Sequence, residues 1–130
     1  KGDLERFAYA SIMVEVITHL IPPHGYEAGV FELLAKALSH LEHRDEIDES
    51  LVALFELRML RGLGLLPTWE SLAGVPEAAL PILDGWLQSE WHPLPEGTLF
   101  ATISALERLI QESSGRPLKS RVVLSELLER

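Results

Sequence analysis

Residues 48–63 read DESLVALFELRMLRGL, and their apolar positions recur at helical spacing. The pattern predicts a helix that is apolar over a wide arc of its surface. Gly62 and Gly64 weaken the end of this helix, and Pro67 forbids its continuation. Its apolar residues are Leu51, Val52, Leu54, Phe55, Met59, Leu60 and Leu63.

The sequence before this stretch predicts two more helices. The first covers residues 3–21, begins at Asp3, which is a good N-cap, and ends at the breaker residues 22–25. Its wide apolar face predicts a central helix buried on two sides. That face comprises Tyr9, Ile12, Met13, Val16, Ile17 and Leu20, widened by Phe7, Ala10, Val14 and Ile21. A second helix is predicted over residues 26–42, followed by an acidic loop over residues 42–49.

The sequence after residue 66 predicts less regular structure and then two helices. Residues 67–97 hold all three tryptophans, and we expect an irregular segment of short helices and ordered loop there, with a short helix over residues 76–83. A helix over residues 96–113 ends near Gly115, and a last helix starts at a Ser120 cap. The buried side of the last helix is predicted to be Val123, Leu124, Leu127 and Leu128. Since no run alternates with period 2, the predicted fold class is all-α, an irregular bundle of five or six helices.

The composition limits the possible functions. A chain of 130 residues indicates a single domain, residues 1–130, and its net charge of −9 argues against wrapping a nucleic-acid backbone. The absence of cysteine excludes disulfides, thiol nucleophiles and thiolate metal sites, and it fits a reducing compartment. No apolar run reaches the roughly 18 residues of a membrane span. The chain starts with Lys1 and not Met, so we expect a fragment or processed form of a longer protein.

The residues that carry chemistry do not form a catalytic or metal-binding pattern. His40 and His43 are spaced to share a helix face, but a zinc site needs two more ligands. We therefore predict that both histidines are solvated surface residues. No G-x-S-x-G motif is present. An enzyme would require a buried pair of Glu15 and His19 at a cleft. We therefore predict a protein that is not an enzyme and has no cofactor or metal.

Positive charge is concentrated at the end of this acidic chain. Residues 1–115 hold seven basic and eighteen acidic residues, whereas residues 116–130 hold four and two. Arg116, Lys119 and Arg121 precede or open the last helix, where positive charge is unfavourable. An acidic group should compensate it, either from another part of the domain or from a ligand. Arg58, spaced i, i+3 from Arg61 on the third helix, is a weaker candidate for binding an acidic ligand.

Three stretches together resemble the C-terminal helical domain of the RecO family of bacterial recombination mediators. They are DLERFAYAS at residues 3–11, LFELRML at residues 54–60 with the following LG and Pro67, and GRPLKSR at residues 115–121. The resemblance does not extend to residues 67–97. Many members of the family carry a four-cysteine zinc site that this chain cannot form. We expect no zinc finger, with aromatic packing of residues 67–97 in its place.

The resemblance implies a DNA repair function shared with other domains and proteins. It implies an N-terminal OB-fold domain, absent from this chain, that contacts DNA. It also implies strand annealing and recombinase loading together with RecR and the single-stranded-DNA-binding protein, in the cytoplasm at the nucleoid. In some members the helical domain receives the acidic, Phe-ending tail of that binding protein. Arg116, Lys119, Arg121 and Arg58 are the residues that we expect to bind this tail.

A second hypothesis from a different class stays open at this stage. The chain could be the small-molecule-sensing helical domain of a transcription regulator. That function requires a closed apolar cavity, for which Trp86, Trp91 and Phe100 are the candidate lining residues.

Overall fold

Six α-helices follow one another in a computed structural model of the chain, which describes residues 2–21, 28–44, 48–66, 68 and 72–128. No strand occurs in these ranges, which confirms the prediction of an irregular all-α bundle. The helices are α1 (Gly2–Leu20), α2 (Ala28–His43), α3 (Ser50–Gly62), α4 (Leu80–Leu87), α5 (Leu99–Ser114) and α6 (Lys119–Leu128), with a short 3-10 helix at Glu77–Ala79.

Helices α1 and α3 form the centre of the bundle. Helix α3 packs against α1, α2, α4 and α5, and α1 packs against α2, α3, α5 and α6. The wide apolar arc predicted for α3 is confirmed, because Val52, Phe55 and Leu60 are almost completely buried. Burial of apolar side chains of this size stabilises the fold by about 1.5–3 kcal/mol each.

The burial of α1 is only partly as predicted. Ile12, Met13 and Val16 lie in the core, but Phe7 and Val14 are 71% and 49% exposed, so the prediction was wrong for these two residues. Helix α1 is apolar on nearly every side, and periodicity therefore cannot tell which of its faces packs against the other helices.

Three of the predicted helix starts need correction. Helix α5 begins at Leu99 and not at residue 96. Helix α1 begins at Gly2, so Asp3 lies in its first turn, where its charge favours the helix dipole, and is not the N-cap. Helix α6 begins at Lys119, so Ser120 is inside the helix. The predicted breaker at residues 22–25, residues 45–47 of the acidic loop and the predicted start at Tyr26 lie outside the described residues.

The part of the tryptophan-rich segment that the structure describes is irregular with one short helix, as predicted. The helix is displaced, however, to residues 80–87 from the predicted 76–83, after the 3-10 turn. Pro81 falls in the first turn of α4, where a missing amide proton costs little. Trp86 on α4 is 1% exposed and joins the core. Pro67 and Trp69 are not among the described residues.

The C-terminal end of α5 is the one predicted from Gly115. This residue has a φ of 74°, and its amide donates a hydrogen bond to the carbonyl of Gln111 at 2.7 Å. The predicted buried side of α6, formed by Val123, Leu124, Leu127 and Leu128, consists of side chains outside the described set. Among the helices within the described ranges, none is long and apolar enough to cross a membrane.

Candidate functional site

The basic residues Arg116, Lys119 and Arg121 lie in different environments. Arg121 of α6 points into the domain, where its guanidinium bridges two carboxylates. Its Nη1 lies 2.6 Å from Glu49 Oε2, and its Nη2 lies 2.7 Å from Glu107 Oε2. Burial opposes the charge of Arg121, but the hydrogen bonds and negative charge of Glu107, together with Glu49, raise its pKa above the ordinary value. The acidic groups that compensate Arg121 therefore belong to the domain itself.

Arg116 and Lys119 are exposed, in contrast to Arg121. The guanidinium of Arg116 donates to the carbonyl of Thr18 at the end of α1, at 3.3 Å, and stays at the surface. The backbone amide of Lys119 donates to Oε2 of Glu15 at 3.0 Å. These two side chains consequently present positive charge to solvent near the junction of α1 and α6.

Arg58 lies apart from the C-terminal cluster, in a groove bordered by α2, α3 and the segment after α4. Two adjoining cavities, which share His40, Leu54 and Arg58, form this groove. We call it the Arg58 groove. One end is mainly apolar and the other is aromatic and polar, with a cavity of about 130 Å³. The apolar end is lined by Leu33, Lys36, Ala37, His40, Leu51, Leu54, Phe55 and Arg58.

The aromatic end of the Arg58 groove is held by stacked groups. The rings of Trp86 and Trp91 are parallel to within 9°, with centroids 4.9 Å apart. The guanidinium carbon of Arg44 lies 5.6 Å from the centre of the Trp91 ring, a cation–π distance. The Nε1 of Trp86 donates to the carbonyl of His92, and Nη2 of Arg58 donates to the carbonyl of Trp86 at 3.0 Å. These contacts fix one wall of the groove and orient Arg58 along it.

The rim of the Arg58 groove is basic although the domain as a whole is acidic. Lys36, His40 and Arg44 of the α2 side and Arg58 of α3 line it, against one carboxylate, that of Glu90. Such a combination of apolar floor and cationic rim can hold an acidic ligand with an apolar or aromatic end.

Sequence reasoning identified Arg58 but did not connect it with the other three basic residues of the groove. Lys36, His40 and Arg44 are spaced i, i+4 and i+8, which places them on one helical face. The amide of Arg44 still donates to the carbonyl of His40, so the helical path continues through it. That spacing was the available signal, because each residue alone is an ordinary surface residue.

The residues proposed for other functions do not form the sites those functions require. Phe100 is 83% exposed, so it cannot line a closed cavity with Trp86 and Trp91, which stack on each other. The cavity of about 130 Å³ is also below the roughly 300 Å³ of a small-molecule pocket. The ligand-sensing hypothesis therefore loses the feature on which it depended.

The candidate acid–base pair on α1 is used for structure. The Oε2 of Glu15 lies 4.0 Å from Nε2 of His19, and both side chains are largely buried. The Glu15 carboxylate, however, accepts backbone amides of α6, and Nε2 of His19 lies 3.0 Å from the carbonyl of Pro117. Glu15 and Nε2 of His19 therefore contribute contacts between α1 and the segment that opens α6.

The two neighbouring histidines also make separate contacts. His40 lines the Arg58 groove, and Nδ1 of His43 lies 2.9 Å from the carbonyl of Ser39. In the part of the chain that the structure describes, no group of three or more His, Asp or Glu side chains could hold a metal ion.

Comparison with known proteins gives two matches. A family model described as Recombination protein O C terminal matches residues 1–81, a range that holds α1, α2, α3 and the start of α4. The chain is also 29% identical over 118 residues to the DNA repair protein RecO of Symbiobacterium thermophilum. That alignment covers 84% of this chain and 47% of the relative, so the chain spans about half the length of this protein. No solved structure matches the chain.

Proposed function

This chain belongs to the RecO C-terminal family, and on that premise we propose that it is the helical protein-interaction domain of a recombination mediator in DNA repair. The family match covers more than half of the chain, and the curated relative is a DNA repair protein. The mechanism that we propose is not catalytic. The domain binds protein partners and supports the DNA-binding part of the protein.

The Arg58 groove is the observation that supports this proposal best. Its occupant, in our proposal, is the acidic C-terminal tail of the single-stranded-DNA-binding protein, which ends in Phe. The apolar end offers Leu33 and Leu54 to an aromatic side chain, while Lys36 and Arg58 place positive charge at its rim. Charge-assisted hydrogen bonds from Arg to a carboxylate contribute about 1.5–3 kcal/mol each.

The C-terminal basic residues have different parts in the proposal. Arg116 and Lys119 are exposed and add a second region of positive potential that can attract an acidic tail. Arg121 as a tail contact stays a prediction, and such a contact would compete with Glu49 and Glu107 for its guanidinium.

We assign DNA contact mainly to an N-terminal OB-fold domain of the whole protein. The net charge of −9 supports this division, because a phosphate backbone is bound by a basic surface. RecR is the further partner in recombinase loading, and the site of action is the nucleoid in the cytoplasm. Tight binding of single-stranded DNA by residues 1–130 alone at physiological salt would contradict this division.

A peptide titration tests the proposed groove. A fluorescently labelled acidic peptide ending in Phe is titrated into the wild-type protein and into Arg58→Glu and Lys36→Glu variants. We expect binding to weaken at least about tenfold in both variants, since each loses and reverses a charge at the rim. Lys36 is exposed, so its variant tests the charge without disturbing the core.

Arg61→Glu is the matched control for this titration. Arg61 lies on the same helix as Arg58 but is exposed and does not line the Arg58 groove. We expect it to leave the affinity within about twofold, and removal of the terminal Phe from the peptide to abolish binding. Equal losses for Arg58→Glu and Arg61→Glu would indicate a general charge effect and would remove the groove assignment. An Arg116→Glu/Lys119→Glu double variant that alone abolishes binding would move the site to the C-terminal segment.

A further inference from the structure

A buried carboxylate lies at the centre of the contacts that hold α6 to the domain. Glu56 of α3 is 0% exposed, and neither of its carboxylate oxygens has a hydrogen-bond partner among the described residues. A carboxylate buried without a donor is strongly unfavourable when ionised. A proton on Glu56 turns the side chain into a hydrogen-bond donor, for which Glu107 is the acceptor.

The neighbours of Glu56 carry an excess of negative charge. Glu49, Glu56, Glu107 and Arg121, which we call the Glu56 cluster, place three carboxyl groups around one guanidinium. Glu107 accepts hydrogen bonds from Nε and Nη2 of Arg121, and Glu49 accepts one from Nη1. Among the described residues, the charged groups that act on Glu56 are Glu107 from α5, Arg121 from α6 and Glu49 before α3. Tyr9 of α1 is near Glu49 and Arg121 as well, together with Glu5 and Asp48. A negative charge on Glu56 would therefore share Arg121 with Glu49 and Glu107, which already bind it.

Carboxylates from other elements of the domain bind the first turn of α6. Glu15 of α1 accepts the amides of Lys119 and Ser120, and the Glu56 cluster holds Arg121. Leu118, just before the helix, is buried, while Val122 on α6 is 59% exposed. Arg121 is therefore the element of α6 whose position depends directly on the charge of the cluster.

We propose that the Glu56 cluster is a proton-linked clasp for α6. While Glu56 carries a proton, Arg121 is shared by two ionised carboxylates, and α6 stays docked on α1 and α5. When Glu56 loses that proton, the buried negative charge favours an opening in which α6 moves away and water reaches the carboxylates. Burial and then the charge of Glu107 raise the pKa of Glu56 well above its ordinary value, which keeps the clasp closed at neutral pH.

Hydrogen exchange of the intact protein measures this opening. Amide protection in α6 and in α3 is followed between pH 6 and pH 9, after correction for the pH dependence of intrinsic exchange. We expect the α6 opening equilibrium to rise with pH by up to about tenfold per pH unit, because one proton leaves on opening. Amides of α3 should stay far better protected than those of α6 at each pH, since α3 lies in the centre of the core and exchanges only when the whole domain unfolds.

The near-isosteric Glu56→Gln variant tests whether the proton on Glu56 controls the opening of α6, because a glutamine side chain does not ionise. It is expected to remove the pH dependence of α6 protection, whereas the exposed α5 variant Glu112→Gln should keep it. An equal pH dependence in wild type and Glu56→Gln, or opening of α6 and α3 together, would overturn the proposal. If Glu56→Gln does not fold, the carboxyl carbon shift of Glu56 in the wild-type protein decides. A protonated Glu56 at pH 7 supports the clasp, and an ionised one contradicts it.

Discussion

Glu15 and Ser120 meet across the interface of α1 and α6, where Oε1 of Glu15 accepts the backbone amide of Ser120 at 2.9 Å. The other carboxylate oxygen accepts the amide of Lys119 at 3.0 Å. The first amides of a helix have no partner within that helix and require one from elsewhere. A side chain from α1 thus supplies the N-terminal cap of α6 and compensates the positive charges that surround it.

Replacement of Glu15 by Ala should uncap α6. We expect a loss of about 1–2 kcal/mol in the free energy of unfolding, since a cap contributes about this much. Urea denaturation of Glu15→Ala measures the loss, with Glu32→Ala, an exposed α2 acid, as the control. Identical midpoints for the two variants would show that the Glu15 contacts contribute nothing to stability.

Removal of the Arg121 charge should destabilise the domain more strongly. Arg121→Met leaves Glu49 and Glu107 without their cation, and breaking a largely buried ion pair on one side costs about 3–5 kcal/mol. The figure for this site lies at the lower end, because Arg121 and Glu49 are each 21% exposed. Thermal unfolding compares this variant with Arg108→Met, whose arginine is exposed. Arg121→Met that is as stable as Arg108→Met contradicts a structural role for this ion pair.

The raised pKa of Glu56 makes stability depend on pH in a defined direction. The folded protein retains the proton above the ordinary pKa of 4.5, while the unfolded chain releases it. The contribution of Glu56 to the free energy of unfolding is therefore largest below pH 4.5. It falls by up to about 1.4 kcal/mol per pH unit until the pH reaches the raised pKa. Glu56→Gln should remove this decline and be more stable than wild type at pH 7–8.

Chemical denaturation at pH 5, 6, 7 and 8 measures the effect of Glu56→Gln. The stability difference between the variant and wild type should grow with each step in pH, in favour of the variant. Glu112→Gln serves as the control, because an exposed acid on α5 should give a small and constant difference. A difference that stays constant for Glu56→Gln would mean that this carboxyl does not hold a proton in the folded state.

Gly115 should tolerate alanine poorly for a conformational reason alone. An added Cβ meets nothing within 4 Å, but the φ of 74° is unfavourable for any residue with a side chain. We expect Gly115→Ala to cost about 1 kcal/mol in unfolding free energy. Gly62→Ala is the matched control, because its Cβ is equally free of contacts and its backbone is helical. It should be neutral or stabilising.

The local features of the fold were predictable from the sequence. The apolar arc of α3 and the stop at Gly115 depend on neighbouring residues along the chain, and periodicity and backbone preference report such features directly. The exposure of Phe7 and Val14 was not predictable, since it depends on which face of an apolar helix finds a partner.

The candidate site was less predictable than the fold. Arg58 was identified from its position on α3, but the groove around it forms only when α2 and the segment after α4 approach that helix. The opposite happened with Arg121, whose position in a basic cluster gave no sign of Glu49 and Glu107 beside it. Contacts between distant parts of a chain follow from packing, which one sequence pattern does not encode.

The stacked indoles beside Arg58 give the protein an optical probe at its own candidate site. Two indole rings with centroids 4.9 Å apart are close enough for their electronic transitions to couple, so their near-ultraviolet circular-dichroism signal depends on how the rings are oriented. Trp91 is 41% exposed on the wall of the groove, so a ligand in the groove that tilts its ring changes this signal. A ligand that binds elsewhere on the protein leaves the signal unaltered. Occupancy of the groove can therefore be followed spectroscopically with an unlabelled peptide and an unmodified protein.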